Sequence, residues 1–278
     1  MLTYDFRLPP GPDTVELAIL AEELGYNAVW CPEIPAFGHD IWITLARIAE
    51  KTTRLKFGPS VLIPSYRHPM AQASAIATLE QIAPGRLMVG FGTGFTGRAG
   101  MGKRPLKLAE MRTHIEQVKG LLNGDIVDIE GGLAQIIASP GRLPDRPINV
   151  PLLMAADGPK GRALAKELTD GLISLAGPAE GFETCLVSIH GTVMDDDETV
   201  DTSRVKSAVA PLIALRYHFK YTYDPEATKA LPSGEAWVAS LETVPQEVRH
   251  LSLHKGHVLD ISNGHDHLVD TSSAKEMT

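Results

Sequence analysis

The sequence predicts a parallel α/β fold, and two stretches of the 278-residue chain carry that prediction. The first, Arg54 to Gly97, reads as strand, loop, helix, strand and glycine-rich turn, which is one βαβ unit. Two strands joined in this way are parallel neighbours with a right-handed crossover. The second, Pro151 to Asp170, repeats the order strand, glycine turn, helix. The length suits one α/β barrel of roughly 250 residues, so we predict a single domain over residues 1–278.

Helices and strands alternate before and through the first stretch. The spacing of apolar residues predicts a helix over Thr14–Leu24 that ends at Gly25 in a left-handed cap. The apolar segment NAVWCPE predicts a strand with Glu33 at its carboxyl end, and Asp40–Lys51 forms an amphipathic helix capped by Asp40. The elements predicted next are a strand over Leu55–Ile63, a helix over Ala71–Ile82 and a strand over Arg86–Phe91.

The second half of the chain is less regular. Its predicted helices are Leu106–Leu122, Arg162–Asp170, Ala179–Val193, and two near Trp237–Val244 and Val248–Leu253. Its predicted strands are Pro151–Ala156, Asp170–Ala176, Lys206–Leu215 and a closing strand, HVLDIS, with a small hairpin over Asp125–Ile137 that turns at Gly131-Gly132.

One set of motifs resembles a known family. A strand ending in Ser60-Val61, a loop with YRHP, a helix leading to PGRL and a strand ending in GTG are similar to the luciferase-like flavin and deazaflavin oxidoreductases, within the bacterial luciferase-like monooxygenase superfamily. The resemblance covers Tyr4 to Gly177 and, more weakly, Ala210 to Gly264. It implies a (β/α)8 TIM barrel with loop insertions. This chain departs from the family in its last part, where we expect an eighth unit that is irregular, closed by HVLDIS, or incomplete. The resemblance also implies a cis peptide between Ser60 and Val61, and a mouth that holds the deazaflavin coenzyme F420 or, alternatively, FMN.

Two turns are the candidate cofactor-binding segments, together with Ser60 and Val61. Gly92, Thr93 and Gly94 follow a strand, and by themselves form a weak glycine signature. The second turn joins a strand to a helix N-terminus, where free backbone amides and a lysine suit a phosphate; the resemblance places the cofactor's phosphate there. A tight turn with a surface lysine is the alternative. The residues of this second turn are Asp157, Gly158, Pro159, Lys160 and Gly161.

The candidate catalytic residues lie after the second predicted strand. The resembled family commonly carries an Asp-His pair there, and the matching residues are Glu33 and Ile34. Glutamate can keep the carboxylate role, whereas isoleucine cannot transfer a proton. His39 could substitute in space for the histidine, or it could simply precede the helix beside Asp40. Arg67 and His68 are open to two interpretations: they bind an anion or the substrate, or they are structural parts of the helix start.

Composition limits the partners. A net charge of -8 argues against nucleic-acid binding, and no apolar run approaches the roughly 20 residues that span a bilayer, so a cytoplasmic protein without membrane contact is expected. His250 and His254 lie one helical turn apart but lack metal-site acids, so no metal is expected. The resemblance implies a homodimer. The aromatic residues that could line the mouth favour a hydrophobic or ring-containing small-molecule substrate, although Tyr217 fits an aromatic core equally well; they are Trp30, Phe37, Trp42, Phe95 and Tyr217.

Together these features predict an oxidoreductase that binds F420 at the barrel mouth and exchanges hydride with a small organic substrate. An FMN-dependent luciferase-like monooxygenase is the alternative within the fold. A non-catalytic flavin-binding protein is an alternative of another class, favoured by Ile34 in the place of the histidine. A metal-dependent hydrolase on a barrel comes last.

Overall fold

A computed structural model of the chain describes residues 2–256, 261 and 265–269. These residues form two compact units. The first contains the chain up to Gly97 together with Arg104–Ser188, and the second contains Arg98–Lys103 and the residues from Ile189 onward. That the whole chain is one domain stays a prediction.

The first unit contains every strand of the described residues. They are β1 (Asp5–Arg7), β2 (Ala28–Cys31), β3 (Lys56–Pro59), β4 (Val89–Phe91), β5 (Val127–Ile129), β6 (Gly132–Ala134), β7 (Leu152–Ala155), β8 (Gly171–Ser174) and β9 (Thr184–Val187). The helices of the first unit are α1 (Thr14–Glu23), α2 (Ile41–Lys51), α3 (Pro69–Ile82), α4 (Phe95–Ala99, which crosses the unit boundary), α5 (Leu108–Asn123) and α6 (Pro159–Leu168). Those of the second unit are α7 (Ser203–Tyr223), α8 (Pro225–Lys229), α9 (Gly234–Glu242) and α10 (Arg249–Leu253).

Seven of the strands are parallel and follow one another in chain order. β1, β2 and β3 pair in one sheet, and β4, β7, β8 and β9 pair in a second. Parallel bridges from Phe57 to Leu87 and from Leu62 to Phe91 join β3 to β4, so the predicted βαβ unit is confirmed. This is the strand arrangement of a (β/α)8 barrel, and the predicted parallel α/β class is confirmed. A strand that would join β9 back to β1 is not present in the described part of the chain, and the closing segment HVLDIS lies outside it except for Ile261.

The two faces of these strands pack differently because successive side chains point to opposite sides of a strand. On β2, Val29 and Cys31 pack into the large core that the helices cover, whereas Ala28 and Trp30 join Leu153 and other residues in a separate inner cluster. Both faces of β2 are therefore buried, as expected for a parallel sheet. The indole N–H of Trp30 donates to Asp5 of β1 over 2.8 Å.

Two predicted elements of the second half are wrong. Residues predicted as the helix Ala179–Val193 contain the strand β9, and the predicted strand Lys206–Leu215 lies inside the helix α7. In α7 the buried positions recur at intervals of three and four residues, as on one face of a helix. Pro211 removes one helical hydrogen bond, yet the buried face of a 21-residue helix outweighs that local cost.

The hairpin between α5 and β7 is confirmed, with β5 and β6 antiparallel. Its turn is one residue earlier than predicted. Glu130 and Gly131 have positive φ angles of 56° and 81°, and Gly132 already belongs to β6. A two-residue turn with both φ positive matches the twist of the strands that it joins.

The second unit has a core of its own around Trp237, which is completely buried. The rings of Tyr217 and Tyr221 lie 5.6 and 5.7 Å from the Trp237 ring. The hydroxyl of Tyr217 donates to the carbonyl of Pro232 over 2.5 Å. Tyr217 is thus part of an aromatic core, which is one of the two roles that the sequence leaves open for it.

Among the described residues, no helix combines the length and the apolar character required to cross a membrane.

Candidate functional site

The carboxyl ends of the parallel strands meet at one edge of the first unit, and the backbone joins them closely. The amide of Ser60, after β3, donates to the carbonyl of Cys31 on β2 over 2.8 Å. The amide of Leu62 donates to Gly90 of β4 over 2.7 Å, and that of Gly92 donates back to Leu62 over 3.0 Å. The peptide between Ser60 and Val61 is cis, as the resemblance implies. The loop after β3 is therefore paired to both of its neighbours.

The glycine turn after β4 packs directly on this loop. A Cβ atom on Gly92 would lie 2.3 Å from Cγ2 of Val61, and one on Gly94 would lie 2.7 Å from Cγ2 of Ile63. Gly94 also has a φ angle of 80°, a backbone conformation that residues other than glycine rarely adopt. The glycines thus allow the two loops to approach each other, and Thr93 between them is half-buried and accepts the amide of Leu106 over 2.9 Å.

Glu33 is the buried acid of this edge, with 3% of its surface exposed. Its Oε2 accepts the backbone N–H of Ile63 over 2.8 Å, and its Oε1 lies 3.7 Å from Nε of Arg67. Burial raises the pKa of Glu33 to about 7, against the opposing effects of the Ile63 hydrogen bond and the Arg67 charge. A carboxyl group with such a pKa exchanges its proton near neutral pH, as an acid–base catalyst must.

Arg67 links Glu33 to a second carboxylate. Its guanidinium donates to Oδ2 of Asp40, while Oδ1 of Asp40 accepts the backbone N–H groups of Trp42 and Ile43 at 2.9 and 3.1 Å. Asp40 therefore caps α2, as predicted, and holds Arg67 at the same time. Its role as a helix cap is readable from the sequence, whereas the bond to a residue 27 positions away is not.

The turn after β7 uses its aspartate to hold the next strand. Oδ1 of Asp157 accepts the hydroxyl of Ser174 over 2.9 Å and the amides of Leu175 and Ala176 at 3.0 and 3.1 Å. Asp157 is thus bound to the end of β8. Asp157 therefore has a structural role, because it ties the turn after β7 to the end of β8.

The remaining residues of that turn begin α6. Gly158 is the N-cap and has open space around the position that a Cβ would take, whereas the same position on Gly161 would meet Ala156 at 2.9 Å. Pro159 and Lys160 are exposed in the first turn. Arg162, which sequence reasoning missed, follows Gly161; its Nε is buried and has no hydrogen-bond partner among the described residues. The helix N-terminus and these two cations favour an anion.

The other residues predicted for the site differ in their burial. His39 is exposed and is not among the described groups that contact the Glu33 carboxyl. Trp42 is 8% exposed and packs into the helix-covered core instead of lining an open mouth. Phe37 and Phe95 are half-buried. Groups of three or more side chains able to hold a metal ion are absent from the described residues.

Comparison with known proteins agrees with this geometry. A family model described as "Luciferase-like monooxygenase" matches residues 7–209. The F420-dependent glucose-6-phosphate dehydrogenase of Beutenbergia cavernae is 31% identical over 258 residues, which is 85% of this chain and 71% of that protein.

Two solved structures have the same fold at low sequence identity. The coenzyme F420-dependent tetrahydromethanopterin reductase of Methanopyrus kandleri superposes with a TM-score of 0.64 at 18% identity, covering 98% of this chain and 89% of that one. A monooxygenase of Streptomyces bottropensis superposes with a TM-score of 0.58 at 19% identity, covering 98% and 96%.

Proposed function

The chain belongs to the luciferase-like monooxygenase family, and on that premise we propose that it is an oxidoreductase that binds F420 at the carboxyl edge of its parallel strands and exchanges hydride with a small organic molecule. The membership confirms the predicted family and the predicted luciferase-like oxidoreductase class. The observation that carries the rest is that a buried acid, a close-packed glycine turn and a helix N-terminus all follow the carboxyl ends of parallel strands; beside that N-terminus, one arginine nitrogen has no partner among the described residues.

The residues at the start of α6 fit a phosphate group. Lys160 is exposed there, the Nε of Arg162 is buried without a partner in the described residues, and the space beside Gly158 is open. An anion at this end of the helix would accept backbone N–H groups and gain from the helix dipole. We therefore assign Gly158, Lys160 and Arg162 to the phosphate of the cofactor, with Pro159 and Gly161 shaping the turn.

The residues after β3 and β4 fit the ring system. Ser60, Val61 and Gly92 to Gly94 lie at adjacent strand ends, the edge at which ligands bind in parallel α/β folds, and the glycines let the two loops pack side by side there. F420, when bound, supplies the hydride chemistry. The part of the chain is to orient the ring, to exclude water and to move a proton, and Glu33 has the burial and the pKa for that last step.

The candidate substrates are chosen from a relative's name and from the predicted lining of the mouth, and not from an individual pocket. The Beutenbergia relative is named for glucose-6-phosphate, so that sugar phosphate belongs in a first panel of candidate substrates. The predicted hydrophobic or ring-containing molecules form the second part of the panel. A homodimer in the cytoplasm stays a prediction.

An FMN-dependent monooxygenase is the second candidate, supported by the fold shared with the Streptomyces monooxygenase. Such an enzyme needs a pocket that excludes water while reduced flavin reacts with oxygen. Ile34, next to Glu33, supports a third candidate, a flavin-binding protein without turnover, because it cannot take part in proton transfer.

An anaerobic titration separates these candidates. Purified protein is titrated with F420 and, in parallel, with FMN, and cofactor fluorescence and absorbance report binding. Tight binding of F420 with weak binding of FMN is expected. The reverse preference, followed by oxygen consumption with reduced FMN, would favour the monooxygenase, and binding of neither cofactor would contradict the proposal. Tight binding without turnover across the substrate panel would favour the non-catalytic protein.

A further inference from the structure

Three charged groups lie in a row beside the proposed cofactor site. Nε of Arg67 lies 3.7 Å from the carboxylate of Glu33, and the other end of the guanidinium is bound to Asp40. Glu33 is almost fully buried, whereas the side chains of Arg67 and Asp40 are 34% and 38% exposed. The row thus runs from the strand edge toward solvent.

Backbone groups fix both ends of the row. The N–H of Ile63 holds Oε2 of Glu33 at 2.8 Å, and the first turn of α2 holds Oδ1 of Asp40. Arg67 itself lies in the loop that also contains Ile63, between β3 and α3. Because both carboxylates are fixed, the guanidinium between them can adopt few other positions.

We propose that Arg67 is a positioning residue that acts through Glu33, because its guanidinium holds the buried carboxyl group at the end of β2. Asp40 binds the same guanidinium and so determines how strongly the charge of Arg67 acts on Glu33. The proposal deepens the proposed function, on which it rests for the acid–base role of Glu33. The contact itself is a property of the protein without cofactor.

The charges give opposite predictions for the two partners. Arg67 favours the ionised form of Glu33, and Asp40 disfavours it; these are the charged groups of the described residues that act on Glu33, one from the loop after β3 and one from the loop before α2. His68, the neighbour of Arg67, instead caps α3 through its Nδ1, which accepts the amide of Met70 over 3.2 Å. Loss of Arg67 and loss of the Asp40 charge must therefore move Glu33 in opposite directions.

The first test measures the titration of Glu33 without any cofactor. Carboxyl carbon resonances of 13C-labelled glutamate are followed against pH, and the signal of Glu33 is assigned by its absence in Glu33→Gln. In Arg67→Met we expect the midpoint of Glu33 to rise by about one pH unit, since an opposite charge within 4 to 6 Å typically has an effect of at least that size. In Asp40→Asn we expect it to fall.

The variants are chosen so that folding does not obscure the result. Asparagine caps a helix about as well as aspartate, so Asp40→Asn removes the charge and keeps the cap of α2. Arg67→Lys keeps the charge without the planar fork, and should lie between wild type and Arg67→Met. Arg112→Met removes an arginine that is bound to Glu167 on the surface, and should leave the Glu33 midpoint unchanged.

A Glu33 midpoint that stays at the wild-type value in both Arg67→Met and Asp40→Asn would overturn the proposal, as would a shift of the same sign in both. The second test is the pH profile of turnover, whose midpoint should follow the carboxyl titration in each variant. If the titration moves as expected and turnover does not follow, the Arg67 arrangement stands and the acid–base role of Glu33 in the proposed function is wrong.

Discussion

Glu33 in the first unit and Asp266 in the second are both carboxyl groups with 3% exposure, yet their surroundings differ. Asp266 accepts Nε2 of His218 at 2.8 Å and the indole N–H of Trp237 at 3.2 Å, and both partners are buried. Glu33 has one backbone N–H at hydrogen-bond distance and a guanidinium that it shares with Asp40.

The difference teaches that burial alone does not make an acid functional. A carboxylate with buried partners at hydrogen-bond distance serves to hold a core together, because removing it leaves those partners unpaired. A carboxyl group with fewer partners, at a strand edge where ligands bind in parallel α/β folds, can change its protonation state without breaking the core. The following predictions test this contrast, from the largest expected effect to the smallest.

The first prediction concerns the structural acid. Asp266→Ala leaves the buried polar atoms of His218 and Trp237 without an acceptor, so we expect local stability to fall by about 3 to 5 kcal/mol. Hydrogen exchange of the amides in α7 and α9 measures the loss. Asp201→Ala, which removes a 3.3 Å surface pair with Lys206, is the control and should change exchange little. Unaltered protection in Asp266→Ala would show that the network does not hold the helices.

The second prediction concerns the functional acid. The pKa of Glu33 is raised from 4.5 to about 7, so the folded protein keeps the proton to a higher pH than the unfolded chain. The stability that this difference contributes is fully present below pH 4.5 and is lost as pH rises from there through 7. Glu33→Gln removes this loss. Since one pKa unit corresponds to about 1.4 kcal/mol, the variant should gain about 3 kcal/mol on wild type between pH 4 and pH 8. Urea denaturation at a series of pH values checks this, and parallel curves for the two proteins would contradict it.

The third prediction tests the packing around the functional acid. Gly92→Ala places a Cβ 2.3 Å from Val61, and we expect it to cost about 1 to 3 kcal/mol of stability and to weaken F420 binding. Gly191→Ala is the matched control, because no described atom lies within 4 Å of its Cβ position and its φ angle lies outside the left-handed range. We expect its stability to stay within about 0.5 kcal/mol of wild type. Thermal denaturation compares the two variants, and equal losses would argue against close loop packing.

The fourth prediction concerns the anion site at α6 and has the smallest effect. Lys160→Ala should weaken F420 binding by a few fold without loss of stability, because an exposed cation beside a helix terminus acts mainly through a screened field. The effect should shrink as salt is added. Lys51→Ala, in the last turn of α2, is the control. Equal affinities of the two variants would remove Lys160 from the site.

The sequence predicted correctly those features of the site that depend on residues close together in the chain. The cap at Asp40, the strand ending before Glu33 and the glycine turn after β4 all follow from local patterns, and the structure places them as predicted. The family resemblance added the cis peptide, which no local pattern indicates.

What local patterns could not predict depends on distant contacts. The apolar run in KSAVAPLIAL fits both a buried strand and a buried helix, and the packing of Val209 and Ile213 in the second core decided for the helix. The strand β9 exists because it pairs with β8. The bond from Arg67 to Asp40, and an Arg162 Nε with no hydrogen-bond partner among the described residues, likewise appear only when the chain is folded.

The central claim is that F420 bound at this strand edge exchanges hydride with a small molecule, and the most direct test is turnover without oxygen. Wild type and Glu33→Gln are saturated with oxidised F420 and mixed with the substrate panel, while the absorbance of the cofactor is followed. We predict that one substrate class reduces F420 in the wild type, and that Glu33→Gln binds F420 equally well but turns over at least about a hundredfold more slowly. Equal rates in the two proteins, or bound F420 that no substrate reduces, would contradict the account.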